Sequence, residues 1–190
     1  PSALTPNSGA RAGDLLFLTK RLGMGTLTTA QKRGLIDWQG LLPAARQMAT
    51  LNRDGAEAMV AAGCRAATDV TGFGLMGHAR NLARASGVTL ELEADRLPLF
   101  ERALEFAAQG VASGGSKRNR EALASEVRVG AGVPEALATL VFDAETSGGL
   151  LLALAPAAAE RFQSECDRRG QFWARVGRVA PARERWVEVG

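Results

Sequence analysis

The sequence contains no tyrosine, one histidine and two cysteines. With His78 as the sole histidine, His-rich metal centres, His-dyad chemistry and a Ser-His-Asp triad are all weakened. His78 reads as a structural helix residue. Cys64 and Cys166 lie far apart, in no CxxC or Cys/His spacing, which argues against zinc, and two cysteines cannot make a disulfide framework. Neither has a neighbouring base, so both read as small core residues, and the default compartment is cytoplasmic. No apolar run approaches the roughly 18 residues of a membrane span. Pro1-Ser2-Ala3-Leu4 has neither the basic nor the apolar region of a signal peptide. Without an initiator Met, the chain reads as beginning partway through a longer protein, or as processed.

Charge and aromatics are sparse too. Lys and Arg number 23 against 20 Asp and Glu, a net charge of +3, and aromatics make up 5%. Lys117, Arg118 and Arg120 form the tightest basic cluster, with Glu121 and Glu126 close behind. A nucleic-acid surface needs a denser basic face with interleaved aromatics, so neither nucleic acid nor membrane is expected as a partner.

What remains is a chain of 190 residues, 46% hydrophobic, long enough to bury a substantial core. Residues 1–12, with Pro1, Pro6, Asn7, Ser8 and Gly9, read as a linker, and residues 13–190 as one α/β domain. Asp14 to Lys20 has strand character and runs into a glycine turn, after which Thr26 can cap a helix over Leu27 to Leu35. Leu41 to Ala62 has helical spacing, split near Asn52-Arg53-Asp54-Gly55. Cys64 to Val70 is a weak strand, followed by a helix with Leu75, Ala79, Leu82 and Ala83 on one face. Val88 to Glu93 alternates as a half-buried strand, and Pro98 opens a helix that closes at Gly110. Residues 110–132 look loosest. There Ser113-Gly114-Gly115-Ser116 reads as a flexible loop that, with Lys117 and Arg118 adjacent, could close over phosphate. Pro134 starts another helix, Leu150 to Leu154 is a buried strand, Pro156 to Arg169 a helix, and the tail carries two short strands. Alternating strand and helix patterns indicate an α/β or α+β layered sheet with helices packed on it.

The chemistry concentrates in Ala67-Thr68-Asp69-Val70-Thr71-Gly72-Phe73-Gly74-Leu75-Met76-Gly77-His78. A strand that ends on a carboxylate and turns through glycines into a helix suits a phosphate or metal-phosphate. Glycines let backbone N–H groups approach the ligand, and the helix N-terminus is partially positive. Asp69 is then a candidate ligand for Mg²⁺, which takes one or two carboxylates plus phosphate oxygens. It could instead be a turn or cap acid. Thr71, Gly72 and Gly74 are the phosphate-side candidates. Gly72, Gly74 and Gly77 also spell GxGxxG, with Glu91 and Glu93 near the position of a ribose-binding acid, so a NAD- or FAD-binding domain is a rival. Asp69 and the small, polar run before it fit a buried parallel strand poorly. A second loop, Phe142-Asp143-Ala144-Glu145-Thr146-Ser147-Gly148-Gly149, is either a tight turn into a strand or an anion pocket.

These two stretches, with Gly13 to Lys20 and Gly114 to Asn119, resemble selenophosphate synthetase (selenide, water dikinase), within the wider aminoimidazole ribonucleotide synthetase-like superfamily. The resemblance covers about residues 9–180 and aligns with that family's C-terminal domain. It implies a reaction in which ATP, selenide and water give selenophosphate, AMP and orthophosphate with Mg²⁺. Selenophosphate then serves as selenium donor for selenocysteine and selenium-modified tRNA. It also implies an N-terminal ATP-binding domain that dimerises and carries a reactive Cys or selenocysteine, and a metal role for Asp69. Since neither Cys64 nor Cys166 matches that nucleophile, no catalytic residue is assigned in this chain, and the fragment is expected not to complete the reaction alone. The chain departs from the family pattern at Arg21, Met24 and Ser113 to Ser116. A non-catalytic ligand-binding module remains the non-enzyme alternative.

Overall fold

A computed structural model describes residues 4–190. Seven strands form one mixed sheet: β1 (Leu15–Leu18), β2 (Ala66–Asp69), β3 (Thr89–Leu92), β4 (Val127–Val129), β5 (Leu150–Leu154), β6 (Ala174–Ala180) and β7 (Val187–Val189). Their order across the sheet is β2-β5-β1-β6-β3-β7-β4. The β2–β5, β5–β1, β1–β6 and β6–β3 pairs are antiparallel; β3–β7 and β7–β4 are parallel. Among the described residues eight α-helices accompany them: α1 (Met24–Lys32), α2 (Trp38–Ala49), α3 (Arg53–Ala61), α4 (Gly74–Ser86), α5 (Ala103–Ala108), α6 (Gly114–Leu123), α7 (Glu135–Leu140) and α8 (Pro156–Arg169).

The sheet is covered unevenly, and the strand sequences show why. All five residues of β5, Leu-Leu-Leu-Ala-Leu, are buried, because both faces of this half of the sheet are packed. Phe17, Leu152 and Leu154 meet Ala58 of α3 and Phe162 and Cys166 of α8. Leu16, Leu18, Leu151 and Ala153 meet the face of α4 that carries Leu75, Met76, Ala79 and Leu82. The β3-β7-β4 half is packed only on the α4 side. Its other face carries the row Arg178, Glu91, Glu188 and Arg128, directly opposed across four strands. Arg183 reaches both Glu91 and Glu188, at 2.6 and 2.8 Å. Alternation in β3 thus marks a half-buried strand, as its sequence predicts. A satellite core joins Met24 and Leu27 of α1, Leu41 of α2, Phe106 of α5 and Leu140 of α7.

Several local expectations need correction. The first helix begins at Met24, with Gly23 (φ 105°) as N-cap, so Thr26 lies buried inside the first turn instead of capping it. Pro98 does not open a helix: Leu99 bridges Leu22, and α5 starts only at Ala103. Ser113 to Ser116 is not a loop but the start of α6, and β4 follows within the stretch read as loosest. Ser113, in extended backbone, accepts the Ser116 N–H at 3.2 Å, a standard serine N-cap. Sequence periodicity misses α6 because only Ser116 and Leu123 of it are buried, too few to print an apolar stripe.

Residues 1–3 of the expected linker lie outside the described residues. The rest of it is strapped to the domain. Pro6 accepts the Ala67 N–H on the outer side of β2, and Gly9 and Ala10 donate to Ser86 Oγ.

Candidate phosphate and metal site

The fold gathers the ends of three strands at one edge. Asp69, the last residue of β2, stands opposite Leu150, the first of β5, and Thr19 just past β1 bonds Leu150 in both directions. From this edge the chain turns through Thr71-Gly72-Phe73 into α4. Asp69 is exposed, and its carboxylate has no hydrogen bond or ion pair among the described residues. An Asx-turn or cap would engage those oxygens, so the turn reading of Asp69 finds no support. Val70, next in the chain, is fully buried and donates its N–H to Gly149 O.

The turn is held from below. Thr71 O accepts N–H groups from Gly74 and Glu145. Thr71 Oγ1 lies 3.1 Å from His78 Nε2. His78 is 8% exposed, and burial pushes its pKa below the usual 6.5 while the Asp69 charge opposes that shift. It therefore orients Thr71, in line with the structural role expected of it. Asn119 of α6 donates its side-chain amide to both Gly72 O and Phe142 O, each at 3.0 Å.

The three glycines differ in what they permit. A Cβ on Gly72 would meet nothing within 4 Å, so its open side is free for a ligand. Gly74 has φ +68°, and its Cβ would lie 2.7 Å from Asp143 O. At Gly77 the Cβ would lie 2.5 Å from Phe73 Cβ. Gly74 and Gly77 are thus required by the fold itself. The surroundings of a dinucleotide fingerprint are also missing. β2 is an edge strand antiparallel to β5, and β3 is four places away, so no parallel βαβ unit surrounds the glycines.

The second loop is a buried carboxylate hub. Asp143 is fully buried and accepts Thr26 N–H at 2.5 Å and the Ser113 and Ser116 hydroxyls at 2.7 Å each. Glu145, 3% exposed, accepts Gly23 N–H at 2.7 Å and Met24 N–H at 3.3 Å. The two acids satisfy the orphan donors of α1 from 117–122 residues away. Burial, with the Asp143 charge added, raises Glu145 to about 8. This loop is therefore a structural junction joining α1, α6 and the Thr71 turn. Ser147 completes it with φ 52°, its carbonyl accepting from Lys20 Nζ at 2.8 Å. Sequence reading missed the hub because its donors lie far away in the chain.

Mg²⁺ fits the donor set in a limited way. Among the described residues no cluster of three or more His, Cys, Asp or Glu could hold a metal. A single free carboxylate beside an open glycine matches one protein ligand to a cation otherwise held by phosphate oxygens.

The sequence profile of the AIR synthase related protein C-terminal domain matches residues 11–189. The chain belongs to that family. Named relatives agree. A selenide, water dikinase of Geobacter metallireducens is 43% identical over 189 residues, which is 100% of this chain and 55% of that protein. One of Caldanaerobacter subterraneus subsp. tengcongensis is 40% identical over 185 residues, covering 97% and 54%. The domain thus spans about half the length of the curated relatives it matches. Among solved structures, the thiamine-monophosphate kinase of Stenotrophomonas maltophilia superposes with a TM-score of 0.61 at 18% identity, covering 98% of this chain and 53% of that one. The hydrogenase maturation protein HypE, solved in complex with ATP, gives 0.63 at 20%, covering 97% and 50%. At these identities the structures establish the fold, a mixed α/β domain of the AIR synthase-related kind. No helix among the described residues is long and apolar enough to cross a membrane.

Proposed function

We propose that this chain is the C-terminal domain of a selenide, water dikinase and supplies one wall of its metal-phosphate site. The observation that carries the reading is the Asp69 carboxylate, exposed and unpaired at the end of β2, beside Gly72 with its open side. The relatives near 40% identity over nearly the whole chain bear their name from this reaction class. In this reading, residues 1–12 join the domain to an N-terminal ATP-binding domain, which brings the remaining ligands, the nucleophile and the homodimer contacts. ATP and selenide are the substrates, selenophosphate, AMP and orthophosphate the products, and the compartment is cytoplasmic.

Bound Mg²⁺ would neutralise phosphate charge as phosphoryl transfer develops. The chain's own contribution is Asp69 as one carboxylate ligand, and Thr71, Gly72 and Gly74 as the turn beside the phosphates. His78, Glu145 and Asn119 keep that turn in place. Because neither cysteine is suited to attack, the isolated domain should consume no ATP. Burial raises the Cys64 thiol to about 11 and Cys166 to about 12.

The test is Asp69→Asn in a protein that also carries the N-terminal domain. Selenide-dependent ATP consumption should be lost while the far-UV spectrum and unfolding midpoint stay unchanged. Turnover near the wild-type rate would remove Asp69 from the site. The rival NAD- or FAD-binding reading keeps only its three glycines. Titration of the chain with NADH, without saturation, would close it. A Cys or selenocysteine followed closely by Lys in the upstream coding sequence would decide against a non-catalytic module.

A further inference from the structure

The Asp69 carboxylate has no hydrogen bond or ion pair among the described residues, so its place at the end of β2 is set by the backbone beneath it. The next backbone bond along the chain runs from Val70 N–H to Gly149 O, at 2.8 Å. What fixes Gly149 therefore fixes the carboxylate.

Three successive carbonyls of that loop each take a donor from a different part of the chain. Ser147 O accepts from Lys20 Nζ at 2.8 Å, Gly148 O from the Asn52 side-chain amide at 2.9 Å, and Gly149 O from Val70. The loop lies flush against its neighbours. A Cβ on Gly148 would stand 2.1 Å from Val70 O, and one on Gly149 2.6 Å from Lys20 N. Ser147 holds a left-handed backbone, φ 52°, which a residue other than glycine seldom adopts without support from its surroundings.

Lys20 stands at the centre of this arrangement. It follows β1 by two residues, and its Nζ also donates to Thr50 O at the C-terminus of α2, at 2.7 Å. We infer that Lys20 is a positioning residue for Asp69: its ammonium locks the Ser147–Gly149 loop to the end of α2, and the locked loop sets where the carboxylate stands. The consequence for turnover rests on the metal-phosphate reading of Asp69; the clamp itself does not.

Helix capping is the plainer account of this lysine. A cation near a helix C-terminus is favourable, and a surface lysine provides it without leaving water. Lys20 is instead 5% exposed, and burial lowers its pKa with no acidic neighbour to oppose the shift. Taking an ammonium out of water with only carbonyls to receive it is costly. Capping explains the bond to Thr50, but neither the burial nor the second bond, to a residue 127 positions away in the chain. The flexible four-carbon stem is what lets a residue at the end of β1 reach both carbonyls.

The experiment has two arms on Lys20→Met, with far-UV spectra to verify folding. In the first, amide exchange of the chain should speed up on the order of tenfold at Val70, while Leu90 in β3 keeps its wild-type rate. No acceleration at Val70 would overturn the inference, and so would equal acceleration at both, which marks general destabilisation. In the second, the substitution is made in a protein that also carries the N-terminal domain. The Mg²⁺ concentration for half-maximal selenide-dependent ATP consumption should rise on the order of tenfold, with KM for ATP unchanged at saturating Mg²⁺. A residue that only stabilised the fold would not separate the two constants. An unchanged Mg²⁺ requirement, where Asp69→Asn is inactive, would overturn the positioning role and leave the proposed function standing. Normal turnover in Asp69→Asn would sink the metal-phosphate reading instead, with localised exchange at Val70 still upholding the clamp. Lys20→Gln, which retains an amide donor, carries both arms if Lys20→Met does not fold, and Asn52→Ala should shift both readouts in the same direction.

Discussion

Glu145 should make the stability of this domain fall as pH rises. Its folded pKa is raised from 4.5 to about 8, so between those values the unfolded chain releases a proton that the folded chain keeps. Unfolding stability then declines with pH across that window and levels off above it. At about 1.4 kcal/mol per unit, the span from pH 5.5 to 8.5 costs roughly 3 kcal/mol. That is a large share of the roughly 5–15 kcal/mol a domain possesses. Glu145→Gln removes the titration and keeps a carbonyl for the Gly23 N–H. It gives up the longer bond from Met24, worth about 1 kcal/mol. The variant should therefore be slightly less stable than wild type at pH 5.5 and more stable at pH 8.5. Urea unfolding at both pH values, read by tryptophan fluorescence, gives the crossing directly. His78, whose pKa is lowered, acts oppositely, losing stability as pH falls below about 6.5, but it is present in both proteins and cancels. Parallel pH profiles for the two proteins would refute the reasoning.

Gly74→Ala should be severely destabilising, about 3 kcal/mol or more, because a positive φ and contact with backbone at Asp143 and Phe142 add together. Thermal melts would show it, and a loss below about 1 kcal/mol would contradict the packing role. Asn119→Ala strands the carbonyls of Gly72 and Phe142 and should cost about 1–3 kcal/mol in urea unfolding. It should also raise amide exchange at the Thr71–Gly74 turn, which a purely local defect in α6 would leave unchanged. Cys64 and Cys166 should both resist alkylation at pH 7.5 until denaturant is added. Rapid modification of the folded chain would show that one of them is a thiolate.

Most elements were readable where burial prints a period. β3 alternates and α4 carries its stripe. β5 is apolar throughout, which is ambiguous between strand and helix until both of its faces are seen to be covered. The candidate site was only half readable. Asp69 could be picked out because an acid before glycines is unexpected in a buried strand. The division of labour among the glycines could not: whether a Cβ fits at Gly72, Gly74 or Gly77 depends on backbone and side chains brought alongside by folding.

By itself, the sequence determined the mixed strand-and-helix class and the family, and singled out Asp69 as the candidate metal ligand, all of which depend on local patterning or on motif identity. Tertiary structure decided that β2 is an antiparallel edge strand, which removes the dinucleotide context. It also decided that Ser113 to Leu123 is a helix, and that Asp143 and Glu145 cap a helix more than a hundred residues away. In each case the deciding partner is distant in the chain, and no window of neighbouring residues contains it.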